Sequence, residues 1–235
     1  MAQATPNADY IRDLFDRIAP VYDDLNQSLS FGLHMVWKQM AVDWSGVQPG
    51  MNVLDVCCGS GDLALLLARQ VGAHGQVTGA DFAVEQLAIA AQRAAAKGYT
   101  QRTSWVEADA LSLPFAANEF DAVTMGYGLR NLIDIPQGLR ELYRVLKPSA
   151  IVAILDFHQP NSGLSKQFQQ WYLNTIVVPT AKRCGLTEEY AYIGPSVERF
   201  PIGQAQVALA HHAGFSKAIH YPLMGGIMGV LVAQK

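Results

Sequence analysis

Val53-Leu54-Asp55-Val56-Cys57-Cys58-Gly59-Ser60-Gly61-Asp62 is the stretch that decides the fold. A short apolar run meets a glycine pair, and a helix-compatible segment over 62–71 follows. Glycines at such a junction let the backbone turn sharply and approach a ligand closely. The same alternation continues downstream. Strands are predicted over 52–57, 76–81, 103–108, 120–125 and 149–157, and helices over 62–71, 84–97 and 135–145. Apolar strands alternating with helices imply a parallel sheet covered on both faces. A helix over 203–212 and strands over 217–222 and 227–233 close the chain. The link Leu223-Met224-Gly225-Gly226 is short enough for an antiparallel hairpin. The expected fold is therefore α/β and Rossmann-like, with a mostly parallel seven-stranded sheet and an antiparallel C-terminal hairpin.

Upstream of the deciding stretch, residues 8–18 read as a short amphipathic helix and 34–44 as another, with the loop Tyr22-Asp23-Asp24-Leu25-Asn26 between them. Residues 160–200 break the strand–helix rhythm and read as an insertion, helical near 164–176. One domain is expected over 1–235. Its parts are an N-terminal helical lid (1–47), a cofactor-binding core (48–158), a substrate-cover insertion (159–202) and a closing helix and strands (203–235).

Composition narrows the function. The 235 residues are 50% apolar and 16% charged, with net charge -3. Intrinsic disorder is excluded, because it needs low hydrophobicity and high charge. An acidic chain is also a poor electrostatic partner for nucleic acid. No apolar run reaches the ~18 residues of a membrane span. The N-terminus carries acids and no apolar signal core, so a cytoplasmic location is expected. Three cysteines, two of them adjacent, suggest no disulfide framework, and no metal-ligand spacing appears. The charge is uneven: residues 1–160 sum to -6, whereas 161–235 hold nine charges and sum to +3. That charge-poor end, with Phe168, Trp171, Tyr172 and Phe200, suits either a buried subdomain or a surface meeting an apolar substrate or a bilayer.

The acids at the strand ends point to a ligand. Asp55 lies near the end of the first strand and Asp62 opens the helix after the glycines. A helix N-terminus attracts anions, so an Asp there competes with a pyrophosphate. It suits a ligand with a cationic end, such as S-adenosylmethionine, although it could equally cap the helix. Asp81 closes the second strand, where an acid commonly accepts hydrogen bonds from ribose hydroxyls. That place alone does not separate NAD from an adenosyl cofactor. Asp109, after the third strand, can accept from an adenine amino group, with apolar neighbours such as Ala110 against the ring. Strand C-terminal ends are where open α/β sheets bind ligands.

In these residues the sequence resembles a class I S-adenosylmethionine-dependent methyltransferase. More narrowly, it resembles the ubiquinone/menaquinone C-methyltransferase family. The resemblance is carried by Tyr22-Asp23-Asp24-Leu25-Asn26, by residues 54–63 and 109–115, and above all by Gly128-Leu129-Arg130-Asn131. The tail, with Glu198-Arg199-Phe200-Pro201 and residues 223–230, is similar to the cyanobacterial and plant branch, which methylates demethylphylloquinone. The sequence departs from the family at Ser60, where Thr is frequent, at Ala64, and at Gly126-Tyr127 before the Gly-Leu-Arg-Asn piece. Backbone contacts to the cofactor are expected to replace hydroxyl contacts there.

The resemblance implies that Asp55, Gly59, Gly61, Asp62, Asp81, Phe82, Asp109, Ala110 and Gly126 bind the cofactor. It implies catalytic roles for Arg130, Asn131 and Tyr22. A quinone must be reduced to a quinol and deprotonated before its ring carbon is nucleophilic. Arg130 is the expected stabiliser of that anion, and its alternative is a surface ion pair with Asp134. Asn131 would orient the oxygen or a water, and Tyr22 would close over the site from the lid. His158 could line the acceptor site. Cys57 and Cys58 read as small wall residues beside the methionine end. The expected partners are a prenylated naphthoquinol, an upstream quinone reductase, a thylakoid or plasma membrane surface met peripherally, and a second copy in a homodimer; nucleic acid is not among them. The product of the cofactor would be S-adenosylhomocysteine. Rival readings are a methyltransferase for another small apolar acceptor, an NAD-linked oxidoreductase and a non-catalytic protein that keeps the fold.

Overall fold

A computed structural model of the chain describes residues 30, 32–160, 163–172, 174, 175, 179 and 193–235. The predicted helix over 8–18 and the loop with Tyr22 lie outside these residues.

The first described helix, α1, is Leu33–Trp44. The alternating core then runs β1 Asn52–Val56, α2 Asp62–Val71, β2 Gln76–Asp81, α3 Val84–Ala96, β3 Thr103–Glu107, β4 Phe120–Gly126, α4 Ile135–Val145 and β5 Leu146–Phe157. Helices α5 Gly163–Tyr172 and α6 Ile193–Arg199 fall in the predicted insertion. Helix α7 Gly203–His212 and strands β6 Lys217–Leu223 and β7 Met228–Gln234 close the chain. The seven strands form one sheet in the order β3-β2-β1-β4-β5-β7-β6. Strand β7 pairs antiparallel with both β5 and β6, while β1 pairs parallel with β2 and β4. The strand order, not the strand direction, reverses between β1 and β4: the chain lays β2 and β3 on one side of β1, and β4 and β5 on the other, which opens a crevice at the carboxyl ends of these strands.

Strand β5 begins three residues before its predicted start. Pro148 has no N–H to donate to a strand ladder. In the fold, fully buried Leu146 pairs with Phe120, and the ladder resumes at Ala122 with Ile151 after a register shift. Burial of Leu146 keeps the segment in the sheet despite the missing donor.

The period of two along each strand divides the core. Leu54, Val56, Val123 and Met125 join α4 and α7 on one face, with Leu139, Leu142 and Phe215. Val53, Ala122, Ala153 and Leu155 join α1 and α2 on the other, with Leu63, Leu67 and Val42. Helix α1 buries His34, Lys38, Ala41 and Val42, a stripe at helical spacing. Two polar residues in a buried stripe are unusual for a core helix, and Lys38 reaches the ligand crevice.

Candidate active site

A cavity opens at the carboxyl ends of β1, β2 and β4, where the strand order reverses. Its floor is the loop after β1. Cys57 (φ 55°), Gly59 (φ 52°) and Gly61 (φ 89°) all take left-handed backbone, which costs Gly little and other residues more. The turn is fastened by the Cys58 amide donating to the Ala80 carbonyl at 3.1 Å and the Gly61 amide donating to the Cys58 carbonyl at 2.9 Å.

Asp81 reaches the wall as expected. It accepts from the Gly59 amide at 2.8 Å and from the Ala83 amide at 2.9 Å, which fixes the carboxylate. Phe82, Asp109, Ala110 and Leu111 continue the wall beyond it. Asp109 is exposed, and its carboxylate accepts from the Leu111 amide at 2.9 Å. Gly126 also lines the cavity, and a Cβ there would lie 2.7 Å from Leu63 Cδ1. Cys57 and Cys58 are wall residues, as read from the sequence. Burial, reinforced by Asp81 and Asp55, holds both thiols well above their ordinary range, so neither ionises readily.

Of the remaining residues expected at the cofactor, two lie off the cavity wall and one is on it with its oxygens already engaged. Asp55 is fully buried beneath the loop and does not line the cavity. One carboxylate oxygen accepts from Thr124 Oγ1 at 2.7 Å, and the other is buried without a partner. Burial pushes its pKa up to about 7, against the opposing effects of Thr124 and Lys38. Period-two alternation turns this side chain into the face covered by α1 and α2. Gly61 likewise turns away from the wall. A Cβ there would lie 3.0 Å from Ala90 Cβ and 3.1 Å from Trp105 Cη2, so this glycine serves helix packing. Asp62 does line the cavity, but both of its oxygens are engaged. Lys38 Nζ binds Oδ2, and Arg93 Nη2 lies 2.6 Å from Oδ1. Burial opposes its charge, yet the two cations outweigh burial and lower its pKa to about 2. The N-cap of α2 is Gly61, one residue earlier, so Asp62 stands inside the first turn of the helix.

The Gly128-Leu129-Arg130-Asn131 piece forms a single 3-10 turn after β4, anchored by fully buried Leu129. Arg130 does not pair with Asp134, which instead caps α4 by accepting from the Gln137 amide. The Arg130 guanidinium is buried against Asp156 of β5, with Nη1 2.6 Å from Oδ1 and 2.7 Å from the Tyr127 carbonyl. Its Nε is buried without a partner. Asn131, unlike Arg130, lines the cavity. Its amide nitrogen donates to the Tyr127 carbonyl at 3.1 Å, while its Oδ1 is buried without a partner. Tyr127 itself holds φ 60°, which turns one carbonyl toward both side chains. His158 does not line the cavity either. Its ring stacks on His220 with centroids 4.4 Å apart, and Nδ1 faces the Gly226 carbonyl at 3.3 Å. Tyr22 lies outside the described residues.

Lys38 and Asp156 were missed by sequence reading. Lys38 carried one faint signal, a cation on the apolar face of a predicted helix. Asp156 carried none, because it ends an ordinary strand 26 residues from its partner.

Comparison with known proteins agrees with this geometry. The chain is 60% identical over 225 residues, 96% of its length, to a Nostoc protein named 2-phytyl-1,4-naphtoquinone methyltransferase, of which 98% is covered. It is 58% identical over 230 residues to a Synechocystis protein of the same name, with 98% of this chain and 97% of that protein covered. An Arabidopsis thaliana protein named 2-phytyl-1,4-beta-naphthoquinone methyltransferase, chloroplastic, is 51% identical over 226 residues, covering 95% of this chain and 87% of that one. Among solved structures, an S-adenosylmethionine-dependent methyltransferase from Aquifex aeolicus superposes with a TM-score of 0.63 at 21% identity, covering 84% of this chain and 88% of that chain. The cyclase SpnF superposes with a TM-score of 0.66 at 20% identity, covering 99% and 97%. Such distant matches speak for the fold alone, since one fold hosts many activities. The family model described as ubiE/COQ5 methyltransferase matches residues 3–235. With that match across nearly the whole length, and with relatives this similar, the chain belongs to the ubiE/COQ5 methyltransferase family.

Proposed function

We propose that this protein transfers a methyl group from S-adenosylmethionine to the ring carbon of reduced 2-phytyl-1,4-naphthoquinone, giving phylloquinol. The observation that carries the acceptor is 60% identity over 96% of the chain to a relative named for that quinone. The cavity suits the cofactor. Acids stand at the ends of β2 and β3, apolar Phe82, Ala110 and Leu111 lie where an adenine ring would pack, and among the described residues the one basic side chain on the crevice wall is Lys38, which is already paired with Asp62. Asp81 would take the ribose hydroxyls and Asp109 the adenine amino group. Gly59 and Gly126 allow close approach of the backbone.

When bound, the cofactor supplies an electrophilic methyl group on a positive sulfur. The protein's task is to hold the acceptor carbon in line with it. Such positioning is worth ~7–11 kcal/mol of barrier. The acceptor's hydroxyl must also lose its proton. Asn131 Oδ1, buried and unpartnered on the wall, accepts a hydrogen bond from that hydroxyl or from the water that takes its proton. Arg130 stands behind Asn131. Its pairing with Asp156 neutralises much of its charge, so its main contribution is to hold the 3-10 turn and aim Asn131. Asp156 is no base, since its oxygens accept from Arg130 and from the Arg130 and Phe157 amides.

The phytyl chain favours peripheral contact with a membrane. Among the described residues no helix is long and apolar enough to cross one. Val36, Ile133, Trp171 and Met224 are nonetheless large, apolar and about half exposed, and Ile133 also lines the cavity. A quinone reductase upstream would supply the quinol.

The test is mass spectrometry of quinones after incubation with S-adenosylmethionine, a reductant, and demethylphylloquinone or demethylmenaquinone side by side. Methylation of the phytylated acceptor, dependent on the reductant, supports the reading. Methylation of neither naphthoquinone sinks it.

A further inference from the structure

Tyr127, directly after β4, holds left-handed backbone at φ 60°. A residue with a side chain rarely adopts that state, because its Cβ crowds the following carbonyl oxygen. Such residues persist where the surrounding structure over-determines them, and they cluster at functional sites. Here the surroundings do so from several sides. The Tyr127 amide donates to the Leu155 carbonyl at 2.7 Å, which extends the pairing with β5 past Gly126. In an extended strand, residues 125, 127 and 129 would share one face. Met125 and Leu129 do join the face covered by α4, but the Tyr127 ring packs on the α1 face, 5.6 Å from Phe157 between centroids. Gly128 then passes so close to the loop after β1 that a Cβ on it would lie 2.7 Å from Cys57 Cβ and Sγ.

The consequence falls on the carbonyl. Tyr127 O accepts from Arg130 Nη1 at 2.7 Å and from Asn131 Nδ2 at 3.1 Å. A carbonyl oxygen can only accept, so it fixes the sense of the Asn131 carboxamide. The nitrogen must face Tyr127, because a reversed carboxamide would set two oxygens against each other. Oδ1 is thereby turned the other way, where it is buried without a protein partner. In ordinary strand backbone the Tyr127 carbonyl would turn aside, and neither donor would find it.

We propose that Tyr127 is a positioning residue for methyl transfer, acting through its left-handed backbone, which decides that Asn131 offers Oδ1 to the acceptor's hydroxyl; this rests on the role of Asn131 given above. The backbone state carries the effect, and the ring holds the residue in it. A substitution at 127 therefore acts on turnover according to how well the new residue tolerates positive φ.

The experiment compares ringless variants of the full chain: Tyr127→Gly, Tyr127→Ala and Tyr127→Val. All lose the packing on Phe157, but glycine enters left-handed backbone freely and a β-branched residue resists it most. With reduced 2-phytyl-1,4-naphthoquinone, kcat is expected to fall from Gly to Ala by about 5- to 30-fold, the scale of the left-handed penalty. Val should fall further, and if Tyr127→Val does not fold, the step from Gly to Ala carries the test. Calorimetric affinity for S-adenosylhomocysteine should stay within about threefold across the series, the spread of a site left intact. In an Asn131→Ala background the same series should differ by less than about twofold, because no carboxamide is left to aim. By NMR, a slowly exchanging Asn131 side-chain amide proton should be present in Tyr127→Gly and absent in Tyr127→Ala. Equal kcat across the series overturns the proposal. So does a spread that survives in the Asn131→Ala background, or one matched by lost cofactor affinity, since either would belong to the fold alone. If Asn131→Ala turns over as fast as the wild-type chain, the reading of Asn131 fails and takes the proposal with it.

Discussion

Arg130 and Asp156 are joined twice. The Arg130 guanidinium lies 2.6 Å from Asp156 Oδ1, and the Arg130 backbone amide donates to Asp156 Oδ2 at 3.0 Å. One carboxylate at the end of β5 thus holds both the side chain and the main chain of the turn after β4. Removing one member of a buried pair leaves the other charged and alone, at a cost of about 3–5 kcal/mol. Arg130→Ala and Asp156→Ala are each expected to lower stability by about that amount, measured by urea unfolding. The double variant should recover part of the loss. Additive losses would show that the two residues are not coupled.

Asn131 is expected to separate chemistry from binding. Asn131→Ala removes the unpartnered Oδ1 from the wall and leaves the cofactor end untouched. Turnover should fall about 100- to 1000-fold, the range seen when one preorganised polar contact to a reacting group is lost. Affinity for S-adenosylhomocysteine should stay within about threefold. A parallel fall in both quantities would place Asn131 in the cofactor site instead.

Asp81 should behave in the opposite way. Its carboxylate receives two backbone amides and lines the cavity. Asp81→Ala is expected to weaken S-adenosylhomocysteine by about 100-fold, with hydrogen bonds to a charged group worth ~1.5–3 kcal/mol each. It should also loosen the Gly59 turn, seen as faster amide exchange over 57–61. Unchanged affinity refutes the ribose assignment.

Two buried acids give opposite pH signatures. The folded pKa of Asp62 is lowered to about 2 from 3.8, so its contribution is present above 3.8 and is lost as pH falls toward 2. The folded pKa of Asp55 is raised to about 7 from 3.8, so the folded state holds the extra proton between these values. Stability then declines as pH rises from about 4 to 7 and levels off above it. At 1.36 kcal/mol per pKa unit the decline is on the order of 4 kcal/mol. Asp55→Asn keeps the acceptor for Thr124 and should flatten that slope in chemical unfolding measured across pH. A slope unchanged by the substitution counts against the buried, protonated Asp55.

The sheet was legible because its signal is local. Period-two burial, helical stripes and glycine turns act over a few residues, and α2, β2, α4 and α7 begin and end where the sequence places them. The place of Asp81, Phe82, Asp109, Ala110 and Gly126 on the cavity wall was legible for a related reason. In a parallel sheet, a residue at a strand's carboxyl end goes to the same edge whatever the details of packing. Asp55 was misread because strand position alone does not say which face a side chain takes. One residue toward the N-terminus of the loop is enough to turn a wall residue into a buried one.

The sequence by itself determined the layer order, the edge of the sheet at which the cavity opens and the family resemblance, all of which rest on motifs contiguous in the chain. The tertiary structure alone decided which charges meet. Lys38 joins Asp62 across 24 residues, Arg93 across 31, and Arg130 joins Asp156 across 26. An ion pair needs its members within about 4 Å, a distance that separate helices and strands set only once they have packed on a common sheet.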